Sequence, residues 1–290
     1  MKAILAALIG IAALSAIPAR ASTATFDFDN CGTSCDNSNL ASWAVSTTLG
    51  SQNVTATATA YYITGSSTGP TSGATLATGA VGRYDNAGMG ICENQTSPNC
   101  SSPNHQINNG KDISTTTETG SGPDNFEFML IRFSTAVDLK SIQLGNFGTT
   151  GSSSSPFDAT YYYSSSQATN LSLGGMTLSQ LSSLDGFSAA QQTSCTAGLT
   201  TNAGVTDNCA VDTNGSPGAV DNLLGTGVTY LLFGASTQAN EAGTDFFKIQ
   251  YLNVATSSTQ VSTTPEPATL GLIGLSLAGL GLARRKRKTN

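Results

Sequence analysis

Phe126-Glu127-Phe128-Met129-Leu130-Ile131-Arg132-Phe133 is the stretch on which the fold turns. Short, aromatic and aliphatic, it reads as a deeply buried β-strand. A Ser134-Thr135 turn is expected next, and Val137-Asp138-Leu139-Lys140-Ser141-Ile142-Gln143-Leu144 then alternates apolar with polar residues, the period of a half-buried strand. Asp138 and Lys140 are expected to face water. Working outward, Val54-Thr55-Ala56-Thr57-Ala58-Thr59-Ala60-Tyr61 alternates in the same way. Residues 157–163, 230–233 and 246–254 are further candidates, as is Thr25-Phe26-Asp27-Phe28-Asp29. Gly, Asn and Ser clusters separate them, as turns require. Only residues 176–192 have helical promise, with Leu178, Leu181 and Leu184 at three-residue spacing. Many short strands of this kind predict an all-β class: a single antiparallel β-sandwich, jelly-roll-like.

Composition narrows the function. Between Ser22 and Thr264 there are five cations (Arg83, Lys111, Arg132, Lys140 and Lys248) against 17 acids, a formal charge of −12 that the whole-chain value of −6 conceals. So acidic a region argues against nucleic acid as a partner, because binding it calls for basic patches. The acidity fits divalent cations, or solubility alone. Short aromatic and β-branched runs set it apart from a disordered chain. With no internal repeat and no proline-rich linker, about 240 residues suit one large domain.

The ends are built differently. Met1-Lys2, an apolar run over residues 3–17 and Pro18-Ala19-Arg20-Ala21-Ser22 form the three parts of a secretory signal peptide. Small side chains at Ala19 and Ala21 place the cut before Ser22; a retained helix is the alternative, although a span typically needs ~20 apolar residues. The other end reads Pro265-Glu266-Pro267, an uncharged run over residues 268–283, then Arg284-Arg285-Lys286-Arg287-Lys288. Sixteen helical residues reach only ~24 Å, short of a ~30 Å hydrocarbon core. The basic cluster resists crossing, leaving Pro-Glu-Pro outside the inner membrane, where a membrane-embedded protease can reach it. Pro265 and Pro267 disfavour helix and keep the site extended.

This tail resembles the PEP-CTERM sorting signal of Gram-negative bacteria, whose bearers are handled by exosortase, a transpeptidase-like membrane enzyme, and tend to accompany genes for extracellular polysaccharide. The organisation that follows is a signal peptide over residues 1–21, a β-sandwich ectodomain over 22–260 and a sorting tail with a short transmembrane helix over 261–290. Pieces of the ectodomain also resemble a subgroup of exosortase-dependent surface proteins: Val54-Thr55-Ala56-Thr57-Ala58, Gly82-Arg83-Tyr84, Gly88-Met89-Gly90-Ile91, Ser102-Pro103-Asn104-His105-Gln106-Ile107-Asn108-Asn109, residues 124–144, and Asp245-Phe246-Phe247-Lys248-Ile249. The subgroup often has Asp-Asn where this chain has Asn108-Asn109, and carries the late cysteine loop less regularly. That resemblance implies a surface-displayed, non-catalytic β-domain.

Six cysteines fall in three local pairs, Cys31 with Cys35, Cys92 with Cys100, and Cys195 with Cys209. An even count in an exported chain favours disulfides. A zinc site is the alternative, against which stand the single histidine and the lack of Cys-x-x-Cys. His105 must serve in any histidine-based catalysis, but a triad needs its nucleophile, base and orienting acid assembled in space; it reads as a loop residue shaping Asn108-Asn109-Gly110. Asp27, Asp29, Asn30 and Asp36 gather hard oxygen ligands that suit calcium, with Asp124-Asn125 and Asp245 as further donors; ordinary solvated acids and turn-forming residues are the plainer reading. Trp43, Tyr61-Tyr62 and Tyr161-Tyr162-Tyr163 offer rings for stacking sugars, although adjacent strand residues point to opposite faces, so each run also feeds the core.

The expectation is a non-enzymatic surface or matrix protein without an assigned cofactor. Its partners are signal peptidase and exosortase during export, the inner membrane transiently, and extracellular polysaccharide. A carbohydrate-binding module using calcium and surface tyrosines is the second expectation, and a secreted hydrolase dependent on His105 the third.

Overall fold

A computed structural model describes residues 21–30, 40–66, 69–84, 88–92, 107–108, 124–150, 157–166, 171–183, 186–195, 209–210, 218–237 and 244–257. Residues 1–20 of the signal peptide, the sorting tail, Cys31, Cys35, Asp36, Cys100 and His105 lie outside them. The strands are β1 (Thr23–Asp27), β2 (Trp43–Leu49), β3 (Gln52–Ser66), β4 (Gly69–Pro70), β5 (Ala77–Thr78), β6 (Ala80–Tyr84), β7 (Gly88–Cys92) and β8 (Ile107–Asn108), then β9 (Asp124–Thr150), β10 (Phe157–Ser164), β11 (Gln191–Cys195), β12 (Cys209–Ala210), β13 (Gly218–Ala235) and β14 (Thr244–Thr256). One helical turn, α1 (Leu178–Leu181), lies between β10 and β11.

β9 is the spine. Its first arm, residues 124–133, lies between β3 and the end of β13, with Phe133 opposite Ala56 and Leu130 opposite Leu232. Its second arm, from Val137, lies between the start of β13 and β14, with Val137 opposite both Val228 and Thr256. The expected Ser134-Thr135 turn is corrected: the chain stays extended there and exchanges one neighbour for another. Three register shifts in the β9–β13 pairing, between Asp221 and Tyr230 of β13, absorb the bend that a turn would otherwise make, and at the bend itself the extra residues, 133–136, are on β9. Ser134 contributes directly, its Oγ accepting the Thr55 N–H at 2.9 Å.

All pairs are antiparallel and belong to one sheet, so the all-β expectation holds but two separate stacked sheets do not form. The sheet instead curls until it nearly closes. β3 pairs with β9 on one edge and with β2 and β5 on the other; the chain passes from β5 through Gly79, whose N–H bonds the Ala60 carbonyl, into β6. β6 pairs with β7, β7 with β14, and β14 with β9. β1 and β8 take up the remaining outer edge of β14 on either side of β7.

Two apolar clusters lie on opposite faces of the first arm of β9. Inside the curl, Met129, Ile131 and Phe133 meet Phe26, Phe233 and Phe247, with Phe26 and Phe133 rings 5.7 Å apart and Phe233 and Phe247 edge-to-face at 5.4 Å. Ala56, Ala58 and Ala60 face the same interior and leave room for these rings. Outside it, Phe126, Phe128 and Leu130 pack with Tyr162 and Tyr230 beneath Leu173, Leu181 and Phe187. Burial on both faces explains why residues 126–133 read as a continuous apolar run rather than an alternating one. Each large apolar side chain so buried contributes ~1.5–3 kcal/mol.

The segment covering the outer cluster corrects a second expectation. Among the described residues of 176–192, the helix is the single turn α1, and the strand β11 begins at Gln191. The Ser182 and Ser183 hydroxyls bond the Ser179 and Gln180 carbonyls, and Gly186 sits at φ 67°. Both features end a helix rather than extend it. Leu181 is buried as the leucine spacing implied, by docking on the sheet.

Candidate functional site

The acidic residues expected near the first cysteines form a turn at the end of β1. Asp27 Oδ1 accepts the backbone N–H groups of Asp29 and Asn30 at 2.9 and 3.0 Å, which closes the turn locally. Asp29 accepts the Gln250 side-chain amide at 3.2 Å and the Tyr251 hydroxyl at 3.1 Å, tying the turn to β14. Burial, followed by the hydrogen bond and charge of Asp29 and the charge of Asp27, pushes the Tyr251 phenol up to about 12. These carboxylate bonds go to neutral donors, an arrangement that fastens two strands together. No group of three metal-type side chains occurs among the described residues. Asp124 stands opposite Gly65 at the start of β9 and Asp245 opposite Thr149 near its end, whereas Asp27 faces Tyr251.

The aromatic candidates are divided between the two clusters. Tyr161 faces the inner cluster and Tyr61 and Tyr162 the outer one, all three buried; burial pushes the Tyr162 phenol up to about 12. Tyr62 and Tyr163 are half-buried. Trp43 is half-buried too, with the Phe28 ring edge-on at 5.7 Å and the Arg83 guanidinium 5.5 Å from its centroid. Both contacts occupy ring surface that a sugar would need.

A buried polar group was not singled out in the sequence. Glu127 and Lys248 are fully buried, and Asn108 nearly so. The Asn108 N–H donates to Glu127 Oε2 at 2.9 Å, while Asn108 itself pairs with Phe246 on β14. The bond thus joins the outer ends of the two arms of the fold and holds in place the short strand that follows His105 in sequence. Its signal in the sequence is a lone carboxylate inside the most apolar strand. Asp138 is a comparable case and corrects an expectation: it is buried rather than facing water, because Gly227 N–H, displaced from the ladder by the register shifts of β13, donates to its Oδ1 at 2.9 Å. Lys140 is exposed as expected.

Cys92, Cys195 and Cys209 have their backbones on β7, β11 and β12. Their side chains, and hence the pairings, fall outside what is described. Ser22 is half-buried beside β14, and Ala21 is exposed.

Residues 263–288 match the family described as the PEP-CTERM protein-sorting motif. No curated protein matches the chain, and neither does any solved structure. The chain therefore carries at its C-terminus the sorting motif of exosortase-processed proteins, with Pro265, Glu266, Pro267 and the basic run from Arg284 inside the matched residues. The motif implies export to the cell surface.

Proposed function

We propose that the protein is a non-enzymatic component of the extracellular matrix, delivered by exosortase and held in association with extracellular polysaccharide. The observation that carries this reading is the sorting motif at residues 263–288, attached to a β-domain whose distinctive polar groups are used in holding strands together. Signal peptidase acts first, before Ser22. The uncharged run then pauses in the inner membrane of a Gram-negative cell, and exosortase cuts near Pro265-Glu266-Pro267. Glu127 and Lys248 are too deeply buried to reach a substrate, and Asp27 and Asp29 are engaged in the turn at the end of β1, which supports structural over catalytic work. Three local disulfides fit an exported domain of this kind.

The test is fractionation of the native host. The protein should sediment with the matrix in the parent strain and appear in the free medium of a strain unable to make the polysaccharide. Free protein in both strains would refute the matrix role.

A further inference from the structure

We infer that the end of the domain where its first and last strands meet is a membrane-facing pole, which rests on an anionic bilayer surface while the tail is being processed; the inference rests on the sorting reading above. The Ser22 N–H donates to Thr256 Oγ1 at 3.2 Å, and the Thr256 N–H donates to the Ser22 carbonyl at 2.9 Å. The chain therefore enters and leaves the domain at one point. Gly50, in the turn between β2 and β3, closes over it: a Cβ there would lie 3.4 Å from Ser22 Oγ and 3.8 Å from Thr256 Cγ2. The bend of β9 is adjacent, with Val137 opposite Thr256.

Charge distinguishes this end. Segments 22–26, 44–57, 133–137 and 253–257 contain no ionisable side chain. Arg132 and the exposed Lys140 flank the bend, two of only five cations in a region holding 17 acids. Asp138, the acid nearest the bend along β9, is buried and bonded to the Gly227 N–H, and Asp221 of β13 stands farther from the bend, opposite Ser141. A neutral pole with flanking cations can approach an anionic surface that repels the rest of so acidic a domain.

Chain length agrees. From Ser257 to Ala268, where the uncharged run begins, are 11 peptide steps, a reach of at most ~36–40 Å at full extension. β14 is itself 13 residues, about 40 Å at ~3.3 Å per residue. An inverted domain would have to stretch the whole tether taut along its own side; with this pole inward no extension is needed.

The full-length chain is placed in vesicles of phosphatidylethanolamine and phosphatidylglycerol containing a lipid with a photoreactive headgroup, and cross-linked peptides are mapped by mass spectrometry. Adducts should concentrate on residues 44–57 and 133–140 and spare the 71–75 turn beyond the other end of β3. The Arg132→Glu/Lys140→Glu variant should lower the adduct yield at the pole severalfold. Should that variant fail to fold, raising salt on the unaltered chain reads the same electrostatic attraction. Equal labelling of both ends, dominance of the 71–75 turn, or a pole yield insensitive to charge and salt would overturn the orientation. A chain that does not enter the vesicles at all would instead refute the pause of the tail in the membrane, and the orientation with it.

Discussion

Gly88 opens β7 at φ 91°, and a Cβ there would strike the Ile249 carbonyl of β14. Neither the dihedral nor the backbone contact tolerates a side chain. Gly88→Ala should therefore cost ~2–4 kcal/mol, read as a lower denaturation midpoint with an unchanged slope. Asp138→Ala should cost ~1–3 kcal/mol, since it strands the buried Gly227 N–H; an exposed Asp138 would make the change nearly silent. Tyr251 should titrate near 12 by ultraviolet absorbance, and Asp29→Asn should move it part of the way towards 10. The sign for stability follows. A phenol whose folded value lies above its unfolded value contributes stability that is complete below pH 10 and is lost as pH rises through 12. Tyr162 acts in the same direction, so alkaline unfolding should begin in that window. Little of this was legible in the sequence. Asp138 looked like a water-facing position in an alternating strand, and only the β13 register shifts, which depend on a partner some 90 residues away, turn it inward.

At the scale of elements, β14 is the strand on which the curl depends, pairing with β9 along one edge and with β1, β7 and β8 along the other. Leu252→Asp places an unpaired charge in the inner cluster and should abolish cooperative unfolding, whereas Thr48→Asp on the exposed face of β2 should leave the midpoint nearly unchanged. The strands with long apolar or alternating runs were readable: residues 54–61, 126–133, 157–163 and 246–254 all lie in strands. What pattern could not supply was how two runs join. Ser134-Thr135 carries turn residues, yet β9 stays extended through them, with residues 133–136 spanning a register shift between its pairings to Val228 and Tyr230 of β13. Leu178, Leu181 and Leu184 suggested a helix, but only the docking of Leu181 on the sheet is needed, and one turn provides it. For the cysteines, alkylation of the folded protein without reductant should label none of the six; labelling of Cys195 and Cys209 would remove the late disulfide.

At the scale of the whole molecule, the sequence was most informative where chemistry is local. The sorting tail is a linear signal, with Pro265-Glu266-Pro267, an uncharged run and a basic end in order, and its reading needs no fold. The ectodomain is the opposite case. Its class follows from periodicity, but a sheet that curls on itself is decided by pairings between distant strands, such as β1 with β14. Of the candidate calcium ligands, Asp27, Asp29 and Asn30 share one turn, Asp124 and Asp245 lie on β9 and β14, and Asp36 is outside the described residues. The central claim concerns the tail, and intact mass of the protein from its native host, with and without the sorting enzyme, tests it directly. The account predicts a mature chain beginning at Ser22 and lacking the residues beyond Pro265-Glu266-Pro267 only where the enzyme is present. A full-length tail in both strains would contradict it.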